Sequence, residues 1–194
     1  MDAALKVPEF MTVEAFLDWD APPGYLWQLR DGVPQAMSPP SPTHGVIQSR
    51  IDRLIGSFLE SRASPCRTVI TPGVIPASRS DINMLIPDLA VTCSPIQATD
   101  RALANPLLLI EVLSPGNQSE TWMNVWAYTT IPSVQEIVVL QSQKIGVLVL
   151  RRAADGTWPD HPAPITGGEL TLESIGFQTS IEEIYRTTWL ADSA

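Results

Sequence analysis

Apolar positions recurring at i, i+3 and i+4 mark out the helices of this chain. Val13, Phe16 and Leu17 follow Thr12, a residue type that caps helix N-termini, and predict a short helix from Thr12 to Trp19 that ends before Pro22. The strongest pattern lies between Thr43 and Arg62. There Val46, Ile47, Ile51, Leu54, Ile55, Phe58 and Leu59 fall at helical spacing and leave Arg50, Asp52, Arg53 and Glu60 for another face, which predicts a long amphipathic helix. A third helix is expected over Glu120 to Thr130, with Trp122, Val125 and Trp126 as its apolar stripe. A fourth, Ile181 to Tyr185, is capped by Ser180 and carries Glu182 and Glu183 in its first turn, where the helix dipole favours anions.

Extended segments separate them. Tyr25 to Arg30 and Val33 to Met37 flank Asp31-Gly32, a dipeptide that tolerates positive φ and predicts a tight hairpin. Thr68 to Thr71 and Val74 to Ala77 read as two extended runs, and Asp88 to Cys93 reads as a strand entered through Pro87. Leu107 to Leu113 is apolar on both faces, as a central strand must be. Val134 to Leu140 and Ile145 to Leu150 predict a second hairpin, apolar enough to need cover from the rest of the chain or from a second copy. A weak strand is expected near Leu170 to Leu172. Mixed strands and helices without an internal repeat point to one α/β or α+β domain, its core roughly over residues 12–186 of 194.

Composition narrows the function. With 44% hydrophobic and 17% charged residues the chain is globular, and its net charge of -9 works against sequence-blind attraction to nucleic acid or an anionic membrane. Cys66 and Cys93 stand in apolar surroundings without metal-ligand spacing and read as buried free thiols in a reducing compartment. Met1 to Phe10 lacks the apolar run of a signal peptide, and no stretch reaches the ~18 apolar residues that span a bilayer, so a soluble cytoplasmic protein is expected. No glycine-rich phosphate loop or dinucleotide fingerprint is present. Arg50, Arg53 and Arg62 read as a solvated helix face or a stripe toward phosphate, Trp122 and Trp126 as core, a subunit contact or a stacking pair. His161 is an ordinary loop residue and Ser114 a turn residue beside Pro115.

Glu111 is the anomaly, a carboxylate inside Leu-Leu-Leu-Ile-Glu-Val-Leu, where an unpaired charge is costly. If the strand from Asp88 pairs antiparallel with the strand ending near Leu113, Asp88 and Glu111 converge. Two carboxylates at one sheet edge suit a hard divalent cation, with the Val112 carbonyl as a third oxygen. The other solution is an ion pair between Glu111 and an arginine such as Arg79 or Arg101.

Taken in order, Asp31-Gly32, Met37-Ser38-Pro39-Pro40-Ser41-Pro42-Thr43-His44, Pro87-Asp88-Leu89 and Ile110-Glu111-Val112-Leu113-Ser114-Pro115 resemble the Uma-two family of endonucleases. That family belongs to the PD-(D/E)XK, restriction-endonuclease-like superfamily, and the resemblance runs from roughly Thr12 to Ile184. It implies a mixed central sheet flanked by helices and, by family habit, a homodimer. It also implies Mg²⁺, or Mn²⁺ in its place, on Asp88 and Glu111, hydrolysis of DNA phosphodiesters, and assistance from His44 or Glu120. The chain departs from the family where a lysine is expected near the metal: position 113 is leucine and the matching helix position is Asn124. Glu120 replaces the usual aspartate before it, and Gln28 stands where the early hairpin usually carries glutamate. No basic residue lies between Arg101 and Lys144. Two functions follow, a Mg²⁺-dependent DNA endonuclease or a non-catalytic relative that keeps the fold as a binding or regulatory module.

Overall fold

The computed structural model describes residues 7–193, so Lys6 and the rest of the N-terminal segment before Val7 lie outside the described residues. Its frame is a five-stranded sheet in the order β3-β4-β5-β6-β7, formed by β3 (Arg67–Ile70), β4 (Leu89–Thr92), β5 (Pro106–Leu113), β6 (Glu136–Gln141) and β7 (Val147–Arg151). Only β5 and β6 run parallel. Parallel neighbours need a crossover, and α3 (Gln118–Tyr128) supplies it.

Both sheet faces are covered, which is why β5 is apolar on both faces apart from Glu111. On one side α2 (Pro42–Ser61) sets Ile47, Ile51, Ile55 and Leu59 against Leu89, Val91, Leu108, Ile110 and Val112. The same layer is completed by the small β8 (Glu169–Leu172) and β9 (Phe177–Ser180) sheet and by α4 (Ile181–Tyr185). On the other side Val125 and Tyr128 of α3 pack on Ala90, Leu109, Ile137 and Val139. Both faces of the β6–β7 hairpin are thus covered by the chain itself. The expected mixed sheet flanked by helices is the architecture found.

Local chemistry explains the elements that reach the sheet edge. Ser41 caps α2 by accepting the His44 N–H at 3.2 Å, and Pro42 fits the first turn because its missing N–H would have no helical partner. Thr12 caps α1 (Val13–Leu17) in the same way, from Ala15 at 3.2 Å. The hairpin of β1 (Trp27–Arg30) and β2 (Val33–Ala36) turns through Asp31 at φ 49° and Gly32 at φ 79°. A Cβ on Gly32 would also sit 2.1 Å from the ring of the exposed Phe10, which would have to swing aside, so the positive φ is what favours glycine there. Leu29 is buried and bridges to Met84, which leaves its neighbours Gln28 and Arg30 on the opposite strand face.

Four expectations are corrected. Val74 to Ala77 forms no strand, only a single bridge from Val74 to Leu85, and β9 pairs with β8 where no strand was expected. Cys66 and Cys93 are joined in a disulfide. Their neighbours Arg67 and Thr92 are paired across β3 and β4, so the sheet register brings the two sulfurs together. Arg50 is not solvated: it is buried and ion-paired to Glu183, and its Nε donates to the Glu183 carbonyl at 2.6 Å, tying α2 to α4. Among the described residues no helix is long and apolar enough to cross a membrane.

A buried carboxylate away from the sheet edge yields the first prediction. Glu136 accepts from Arg151 Nε at 2.9 Å, from the N–H groups of Glu173 and Ser174 at 3.1 and 2.8 Å, and from the Ser174 hydroxyl at 2.5 Å. Glu136→Ala orphans these donors and is expected to cost about 2–3 kcal/mol in urea unfolding. A loss below about 0.5 kcal/mol would mean that water replaces the carboxylate.

Candidate functional site

Antiparallel pairing decides the site. Leu89 lies opposite Ile110 and Ala90 opposite Leu109, so the same register carried one residue further sets Asp88 opposite Glu111. Side chains directly opposite share a sheet face, and like charges there repel. The convergence expected for these two carboxylates is the geometry observed.

Each carboxylate is held by a different element. Asp88 Oδ1 accepts from His44 Nε2 at 2.8 Å, and Oδ2 accepts the Val112 N–H at 2.7 Å. Its backbone carbonyl accepts from Gln48 Nε2 at 2.7 Å, so two residues of α2, one turn apart, clamp the start of β4. The other ring nitrogen of His44, Nδ1, is hydrogen-bonded to the Ser114 hydroxyl, 3.0 Å away. Ser114, which read as a turn residue, thereby fixes the imidazole that fixes Asp88. Glu111 is buried and accepts from the Tyr128 hydroxyl at 2.8 Å. Burial pushes the Glu111 carboxyl well above its ordinary range, and the nearby Asp88 charge adds to the rise. Tyr128 is likewise pushed well up, first by burial and then by the Glu111 charge.

The arginine alternative for Glu111 is not realised. Arg79 pairs with Asp31 and Arg101 with Asp18. Two adjacent carboxylates with no arginine or lysine partner among the described residues fit a hard divalent ion, which takes oxygen ligands and removes the repulsion between them. Among the described residues no group of three or more His, Cys, Asp and Glu is placed to hold a metal. The protein therefore offers two carboxylates, the sparse set that suits Mg²⁺ completed by water and substrate phosphate. Val112, expected to contribute its carbonyl, is seen to contribute its N–H to Asp88.

The remaining sequence candidates separate. Asn124 is buried on α3, and its Oδ1 accepts from Arg30 Nη2 at 2.7 Å. Glu120 faces solvent, and only its backbone carbonyl takes part, 3.5 Å from Arg30 Nη2. Gln28 is buried beside Arg30 on the same strand face, and its Oε1 has no partner. Arg30 itself was missed. It lies about 90 residues before the helix it contacts, so sequence proximity gave no sign of it. The signal was the hairpin period: two residues from Gln28, Arg30 must share its face.

Residues 13–182 match the model of the Uma2 family, described as a putative restriction endonuclease. Among solved structures the chain is similar to a putative nuclease belonging to DUF820 from Anabaena variabilis. The two share 18% identity and a TM-score of 0.73, covering 93% of this chain and 99% of that one. No curated protein matches the chain.

Proposed function

Because the chain belongs to the Uma2 family, we propose that it is a Mg²⁺-dependent DNA endonuclease with Asp88 and Glu111 as its metal-holding carboxylates. The observation that carries this reading is the pair itself, two carboxylates side by side where β4 begins beside β5, with no arginine or lysine among the described residues bonded to either. A bound Mg²⁺ would activate water and stabilise the leaving oxygen of a phosphodiester. The chain's own residues do the positioning. His44 and the Val112 N–H fix both oxygens of Asp88, Ser114 fixes His44, and Tyr128 fixes Glu111. The family resemblance extends the proposal to a homodimer. With the free-thiol expectation gone, a cytoplasmic location rests on the DNA substrate alone.

The test is a plasmid-nicking assay with Mg²⁺ or Mn²⁺ against an EDTA control, beside a calorimetric titration of each metal. Metal-dependent nicking supports the reading. Metal binding without nicking would favour the non-catalytic binding module, and neither binding nor nicking would overturn both the metal site and the nuclease.

A further inference from the structure

The least explained group in the molecule is the guanidinium of Arg30. Arg50, Arg79, Arg101, Arg151 and Arg186 each pair with a carboxylate. Arg30 is half-buried where the hairpin meets α3 and, among the described residues, has no carboxylate within ion-pair distance. Its contacts are neutral acceptors on α3: Asn124 Oδ1 at 2.7 Å and the Glu120 carbonyl at 3.5 Å, both through Nη2. Its Nε is buried and unpartnered, and so is Oε1 of Gln28, two residues away on the same strand face. A half-buried cation with a buried, unpartnered Nε and no carboxylate beside it is a costly arrangement unless an anion completes it.

The face of α3 shows where that anion lies. Asn124 and Tyr128 are four residues apart, hence neighbours on one helix face. Asn124 holds Arg30 and Tyr128 holds Glu111, so one turn of helix spaces the cation from the carboxylate pair. We propose that Arg30, steadied by Asn124, binds a non-bridging oxygen of the DNA phosphodiester at the Asp88–Glu111 site. A planar guanidinium fork matches phosphate oxygens, and Asn124, a neutral acceptor, orients the fork without cancelling its charge. This inference rests on the nuclease reading and assigns the cation that α3 lacks to the early hairpin.

The experiment is duplex binding by fluorescence anisotropy in EDTA over a salt series, with Mg²⁺ calorimetry and nicking on the same proteins. Loss of one phosphate contact in Arg30→Gln is expected to reduce the log–log salt slope by about one and to weaken binding about tenfold at low salt. Nicking is expected to fall on the order of 10²-fold, as when one preorganised donor to the transition state is removed. Mg²⁺ should bind at least as well, since a nearby positive charge has gone, whereas a merely misfolded site would lose the metal. Arg30→Lys should keep the salt slope and recover part of the rate. If Arg30→Gln does not fold, Asn124→Ala keeps the charge and frees it, and about tenfold slower nicking with an unchanged slope is expected. Wild-type nicking matched by Arg30→Gln, with an equal salt slope, overturns the assignment alone. A wild type that neither binds duplex nor nicks overturns the nuclease reading as well.

Discussion

Asp88→Ala is expected to abolish Mg²⁺ binding and to slow nicking by about three orders of magnitude, the scale of several kcal/mol that a metal's charge stabilisation supplies. The size of the effect comes from where the residue sits. Asp88 is the meeting point of three elements: its side chain takes His44 from α2 and the Val112 N–H from β5, and its carbonyl takes Gln48. No neighbouring carboxylate besides Glu111 is placed to substitute for it, since Glu120 points to solvent. Folding should survive, because removing Asp88 also removes a repulsion from Glu111. His44→Ala leaves both carboxylates in place and loosens only one, so about a 10–100-fold loss is expected, as for other groups that orient a metal ligand. Asp88→Ala that nicks within about tenfold of wild type would remove Asp88 from the metal site.

The contrast between what the chain's pattern disclosed and what it hid follows the range of the interactions. α2 was legible because seven apolar side chains at helical spacing can only line one face. The β1–β2 turn was legible because Asp31-Gly32 supports positive φ locally. The acidic pair was legible through one long-range assumption, antiparallel pairing, which the structure bears out. Features that depend on several elements at once were not legible. The disulfide needs the β3–β4 register, and nothing local distinguishes such cysteines from buried thiols. Arg30 reaches Asn124 only because the hairpin folds over α3, and Val74 meets Leu85 too briefly to extend into a strand. Arg50 looked solvated because α4, which buries it, comes more than a hundred residues later.

Glu111→Gln is expected to make the metal-free protein more stable while eliminating metal-dependent cleavage. In the folded chain burial and the Asp88 charge hold the Glu111 carboxyl well above its ordinary range. Between the ordinary glutamate value and that raised value the folded state binds a proton that the unfolded state releases. Stability in EDTA therefore falls as pH rises through this window, the reverse of the usual behaviour of a salt-bridged carboxylate. Glutamine keeps an acceptor for the Tyr128 hydroxyl and turns its amide N–H groups toward a site that otherwise holds a second negative charge. Above the window the variant should gain about 1–2 kcal/mol, and below it the two proteins should converge. For a chain of this size each kcal/mol raises the melting temperature by about 2–4 °C, which calorimetry over a pH series rising from the ordinary glutamate range resolves. Added Mg²⁺ should stabilise the wild type by mass action and leave Glu111→Gln unmoved. A variant less stable than wild type throughout that pH series in EDTA would mean that Glu111 is already compensated in the protein, and the case for a cation between Glu111 and Asp88 would fall with it.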